Sequence, residues 1–166
     1  MSGKNKSMNI SIGQAKLLGS ALRVKIISQL IDEPKTSKQV ANLIGESPGN
    51  VHYHIKKLYD GGLLELVEEK KLGGVMEKYY RSVASRFHSP AGATDPALEE
   101  GFKSKDSAST SVRLQLSPEQ RKDFREEVMD LLEKWVKRTA AEPGGESEEF
   151  SVGVKVVSTE AKGDWE

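Results

Sequence analysis

The sequence predicts an α+β chain. Residues 11–87 read as three short helices closed by a β-hairpin, and residues 112–158 as a small strand–helix–strand region. Three observations carry this reading. Apolar residues recur every three or four positions through the first third of the chain. Capping residues and glycines mark where each helix starts and stops. Alternating stretches flank Gly73-Gly74, and two more flank the capped segment that begins at Ser117.

Residues 1–10 are polar, with Lys4 and Lys6, and read as a mobile arm. Across residues 10–32, Ala15, Leu18, Leu22, Ile26, Ile27, Leu30 and Ile31 keep a helical period that bends or splits near Gly19-Ser20. Asp32-Glu33-Pro34 stops it. Thr36 with Gln39 then forms a capping box, and Val40, Leu43 and Ile44 supply the buried stripe of a helix ending at Gly45. Ser47 caps a third helix, Pro48 suits its first position, and it runs out at Asp60-Gly61-Gly62.

Leu64, Leu66 and Val67 suit one strand, and Met76, Tyr79 and Tyr80 a second. Lys70-Lys71-Leu72-Gly73-Gly74 forms the tip between them, with glycines free to adopt positive φ. Three helices followed by a hairpin make a winged helix-turn-helix. Residues 88–111 are a linker, or a connection carrying one short helix capped at Asp95-Pro96. Residues 112–116 alternate like a strand. Ser117, Pro118 and Gln120 start a helix whose apolar face is Phe124, Val128, Leu131, Leu132 and Trp135. Residues 150–157 alternate again after an acidic linker, and residues 159–166 read as a mobile tail.

The chain has 25 basic and 25 acidic residues, but they are unevenly placed. Residues 1–91 carry 14 Lys and Arg against 8 Asp and Glu, a balance of +6, and the remainder balances at −6. A basic half fits a polyanionic partner. The absence of cysteine excludes disulfides, thiolate metal sites and a cysteine nucleophile, and makes a reducing cytoplasm the expected compartment. No run of about 18 apolar residues is present, so no membrane span is expected.

The third helix speaks most directly about function. At about 100° per residue, Val51, Ile55 and Leu58 fall within about 60° of one another and define its buried side. Gly49, Tyr53 and Lys56 lie nearly opposite, flanked by Asn50, Lys57 and His52. Asn can pair bidentately with adenine, Lys and His can donate to guanine or phosphate, and Tyr can stack or bond a phosphate. Gly49 removes bulk where backbone N–H groups can approach a phosphate. His54 leans towards the core side and is expected to pack against the first two helices. His52 and His54 lie about 200° apart on the helix, so they cannot share one metal ion.

Leu18-Gly19-Ser20-Ala21-Leu22-Arg23-Val24-Lys25-Ile26-Ile27, Thr36-Ser37-Lys38-Gln39-Val40-Ala41 and Val51-His52-Tyr53-His54-Ile55-Lys56-Lys57-Leu58 with Gly62-Leu63-Leu64 resemble the ArsR-type winged-helix regulators. Glu77-Lys78-Tyr79-Tyr80-Arg81 resembles their second wing strand. The resemblance implies a cytoplasmic homodimer on a pseudo-palindromic operator of double-stranded DNA, with Lys70 and Lys71 of the wing touching backbone or minor groove. The expected DNA-binding set is Thr36, Ser37, Lys38, Ser47, Gly49, Asn50, His52, Tyr53, Lys56, Lys57, Lys70 and Lys71. Metal-sensing members use cysteines that this chain lacks.

No phosphate loop, serine elbow or zinc-binding helix is present, so no enzyme, cofactor or metal is expected. Ile12, Ala15, Leu18, Phe124, Val128, Leu131, Leu132 and Trp135 are the expected dimerisation residues, and a small-molecule effector pocket beside them is a further use of the C-terminal region. Repression is the preferred direction of regulation. The competing reading is a protein-interaction module that has given up DNA, motivated by the modest charge of the third helix.

Overall fold

The computed structural model describes residues 6–90, 95–142 and 145–160. The chain runs β1 (Ser7–Asn9), α1 (Ile12–Leu17), α2 (Ala21–Gln29), α3 (Ser37–Ile44), α4 (Pro48–Asp60), β2 (Leu64–Leu72), β3 (Val75–Ser82), β4 (Arg86–His88) and α5 (Pro118–Ala141). Helices, an antiparallel hairpin and a C-terminal helix make it an α+β winged helix-turn-helix.

Each helix start has a local cause. Ser11, Thr36 and Ser117 close reciprocal capping boxes with Gln14, Gln39 and Gln120, while Ser20 and Ser47 accept from Arg23 N and Asn50 N. The first helical stretch splits at Gly19-Ser20 as its sequence predicts. Gly45, at φ 71°, ends α3 in the left-handed region, which reverses the chain within three residues and lets α4 begin at once.

Ile26, Leu30, Val40, Val51, Ile55, Leu58 and Leu63 are fully buried and form the centre of the core. The hairpin pairs Leu64 with Ser82 at its base and Leu72 with Val75 at its tip, with an irregularity between Leu66 and Glu68. Lys35 and Tyr80 exchange backbone hydrogen bonds of 3.0 and 2.9 Å, fastening the α2–α3 connection to β3.

Several expectations require correction. The arm of residues 1–10 is structured where it is described: Ser7, Met8 and Asn9 pair in parallel with Arg86, Phe87 and His88, and Ile10 enters the core. Residues 1–5 and 161–166, expected to be mobile, lie outside the described residues. The two strands expected at residues 112–116 and 150–157 are not strands. Neither joins a ladder, and Val112, Leu114, Val152 and Val154 are exposed, because alternation makes a strand only where a partner supplies the hydrogen bonds. The segment after Asp95 is a turn held by Leu98 N and Glu99 N donating to Asp95 O, short of a helix. In α3, Leu43 is exposed and Ala41 takes its place in the core.

The long helix α5 lies across α2 and α3. Ala140 is fully buried there, and Met129, Leu132 and Val136 are half-buried on the docked side. Leu131 and Trp135 point away from it and are 53% and 50% exposed. Glu149, from the acidic segment after α5, accepts from Ala21 N at 2.8 Å and so lies at the N-terminus of α2, where a negative charge is favoured.

Candidate nucleic-acid interface

Helix α4 is held by one face and presents the other. Val51, Ile55 and Leu58 have no exposed surface, whereas Gly49, Asn50, His52, Tyr53, Lys56 and Lys57 are all exposed. The 3.6-residue period of the sequence therefore sorts core from surface as expected. Lys57 Nζ sits 4.7 Å from the Tyr53 ring centroid, a cation–π contact that orients the ring on the outer face. His52 Nδ1 lies 3.4 Å from Ser37 Oγ, joining the start of α3 to the exposed side of α4.

His54 is half-buried, with its ring edge against Tyr53 at 5.1 Å between centroids. Its Nδ1 is buried without a hydrogen-bond partner. Desolvation lowers its pKa below the ordinary 6.5, and the nearby charges of Arg23 and Lys57 lower it further, with Glu46 opposing.

A groove of ≈ 480 Å³ opens between α4, the start of α3 and the hairpin. Ser37, Lys38, His52 and Lys56 line one side, and Val75, Met76 and Lys78 the other. Beside the carboxylates of Asp60 and Glu77 it gathers five of the sequence-predicted DNA-binding residues, Thr36 included, with hairpin residues that the sequence reading did not assign to DNA. The hairpin register would have found them, since it places Val75 and Met76 beside the tip.

Two of the predicted residues are occupied otherwise. Thr36 lines the groove but is buried, and its Oγ1 accepts from Gln39 N at 3.2 Å, so its hydroxyl serves the α3 cap. Lys70 is engaged by Glu68 at 3.5 Å and lies 5.0 Å from the Tyr79 ring centroid. Ser47 caps α4 but remains exposed at its N-terminus. Among the described residues Lys38, Lys56 and Lys71 have no ion pair.

Of the expected dimerisation residues, Ile12 is 49% exposed, while Ala15 and Leu18 are half-buried against the core. Phe124, Val128 and Leu132 are half-buried, and Leu131 and Trp135 stand outward. Arg138 stacks 4.7 Å from the Trp135 ring centroid.

A short capped helix, a tight turn, an outward-facing second helix and a glycine-tipped hairpin define a winged helix-turn-helix module, a class built to present side chains to a major groove. The family described as "Helix-turn-helix domain" matches residues 18–67, from the end of α1 into β2. No curated protein matches the chain. Among the described residues no helix is long and apolar enough to cross a membrane.

Proposed function

We propose that the chain is a dimeric, sequence-specific transcriptional regulator of the ArsR-like kind, acting as a repressor and reading the major groove with α4. The observation that carries the reading is the sorting of α4: its apolar stripe is wholly buried, and Asn50, His52, Tyr53 and Lys56 stand exposed together. The helix-turn-helix match over residues 18–67 supports it. Lys38, Lys57 and Lys71 would meet phosphates, and the N-terminus of α4 near Ser47 and Gly49 would approach one.

In this reading two copies associate through Ile12 and the outward stripe of α5, led by Leu131 and Trp135. That stripe is apolar, exposed and on the side of α5 opposite its docked face, as a symmetric helix-pair contact requires. A cytoplasmic protein without catalytic activity, cofactor or metal completes the proposal. A small-molecule effector would act at the same α5 stripe.

Fluorescence anisotropy against duplexes from the gene's own upstream region tests the reading. Salt-sensitive binding that is abolished by changing Asn50, His52, Tyr53 and Lys56 together to Ala is the expected result. Binding untouched by that change contradicts it. DNA-independent co-purification with another protein, with no duplex bound, would instead favour an interaction module.

A further inference from the structure

We propose that residues 112–116 of one copy and residues 150–157 of a second copy form a β-ladder, so that two chains complete a sheet that neither completes alone. The proposal rests on the dimeric part of the functional reading and names what the copies exchange beside α5.

Both segments have the chemistry of a strand and no ladder. Val112, Leu114 and Leu116 alternate with Arg113 and Gln115, and Val152, Val154 and Val156 alternate with Gly153 and Lys155. The six apolar side chains are exposed. Among the described residues neither segment takes part in a backbone hydrogen bond. Open amides with apolar side chains at every second position are a template for another strand. Joined, the two segments make a sheet with one apolar and one polar face.

The second segment is held in place by its own chain, but not by residues 112–116. Glu149 accepts from Ala21 N at 2.8 Å, Lys105 Nζ donates to Glu148 Oε1 at 2.9 Å, and Ser151 Oγ donates to Asp95. Gly153 lies so close to Leu98 that a Cβ would collide with it. The segment is thus docked with its ladder unfilled.

The second copy follows from α5. Within one chain the segments leave opposite ends of this helix, about 36 Å apart along its axis. Two antiparallel helices put the start of each beside the end of the other. The outward stripe is self-complementary in that arrangement. About a midpoint between Met129 and Asp130, Phe124 faces the second copy's Trp135 and Val128 faces the second copy's Leu131. Ser117 then lies beside the second copy's Glu142, where the docked segment begins its approach. Charge selects this orientation over the parallel one. On one side of the stripe, Asp123 and Glu127 occupy the first half and Lys134 and Lys137 the second. All four are exposed and have no ion pair among the described residues. Antiparallel copies set acids against bases, and parallel copies set like against like.

The chain has no cysteine, so introduced thiols report without background. Full-length Leu114→Cys and Val154→Cys chains, both changed at exposed positions, are mixed and treated with a bis-maleimide long enough to bridge offset positions on neighbouring strands. The mixture should give a covalent dimer and neither variant alone should. Val154→Pro removes a ladder donor and should weaken self-association about tenfold in sedimentation, with the circular dichroism of the helices unchanged. No covalent dimer in the mixture, or unchanged self-association in Val154→Pro, overturns the exchange. A chain carrying both cysteines that closes as a monomer places the ladder within one chain and also overturns it. So does a product from either variant alone, which sets like segments together. A native chain that sediments as a monomer overturns the dimeric reading itself.

Discussion

The Arg86 Nε donates to Glu133 Oε1 at 2.7 Å, tying the strand that leaves the hairpin to the middle of the long C-terminal helix. The same guanidinium reaches Glu126 at 2.7 Å and Asp130 at 3.1 Å, so one arginine spans two turns of α5. Hydrogen bonds to Glu133 and then Glu126 raise its pKa further above the usual arginine range. Because β4 also carries the N-terminal strand, this clamp links the wing's exit, the chain's start and the helix proposed to make the dimer.

Arg86→Met should release α5. The three carboxylates are 41–70% exposed, so solvent screening holds the cost to about 1 kcal/mol. Urea denaturation measures it, and amide exchange along α5 should accelerate. The hydrogen bond from Arg86 lowers the Glu126 pKa below 4.5, so the Glu126 arm of the clamp is intact above that value and is lost as pH falls through the lower folded one. Unchanged urea midpoint and exchange would contradict the clamp.

His54 sets a second pH dependence. Burial, then Arg23 and Lys57, lower its pKa from 6.5, so the unfolded chain takes up the proton first. Stability is full above about pH 6.5 and declines as the pH falls below it. His54→Leu should flatten that decline below about pH 6.5. An identical slope in the variant would show that the ring does not report on folding.

Ile55 and Lys56 are adjacent in α4 and should behave oppositely. Ile55→Ala opens a fully buried site and should cost about 2–5 kcal/mol. Lys56→Ala, at an exposed position, should stay within about 0.5 kcal/mol while weakening DNA binding. Thermal unfolding separates the two.

Thr36 should affect stability before recognition. Thr36→Ala removes the α3 cap and should cost about 1 kcal/mol, whereas Thr36→Ser keeps the hydroxyl and the stability. DNA affinity measured where both variants are fully folded should stay close to native. A large loss of affinity in Thr36→Ser would place the methyl group at the DNA.

What could be read in advance was local. Caps at Thr36, Ser47 and Ser117, the left-handed Gly45 and the Gly73-Gly74 turn each act within four residues, so the sequence alone locates α3, α4, α5 and the hairpin. What was missed depends on distant partners. Met8 pairs with Phe87 across most of the winged domain, and three-residue strands carry no periodic signal. The alternating valines of residues 150–157 have the right signal and no neighbouring strand to answer it. In α5 the largest apolar residue misdirects: the docked side is marked by Met129, Val136 and the small Ala140, and Trp135 stays outside. At the candidate interface, the outward face of α4 followed from helical period. The engagement of Lys70 and the burial of Thr36 required coordinates.

Hydroxyl-radical footprinting of the full chain on its own upstream region tests the central proposal most directly. Two copies reading successive major grooves should protect two segments centred about 10–10.5 base pairs apart, on one face of the duplex. Changing Asn50, His52, Tyr53 and Lys56 together to Ala should erase both. A single protected segment, or protection that survives that change, would contradict a dimer that reads DNA with α4.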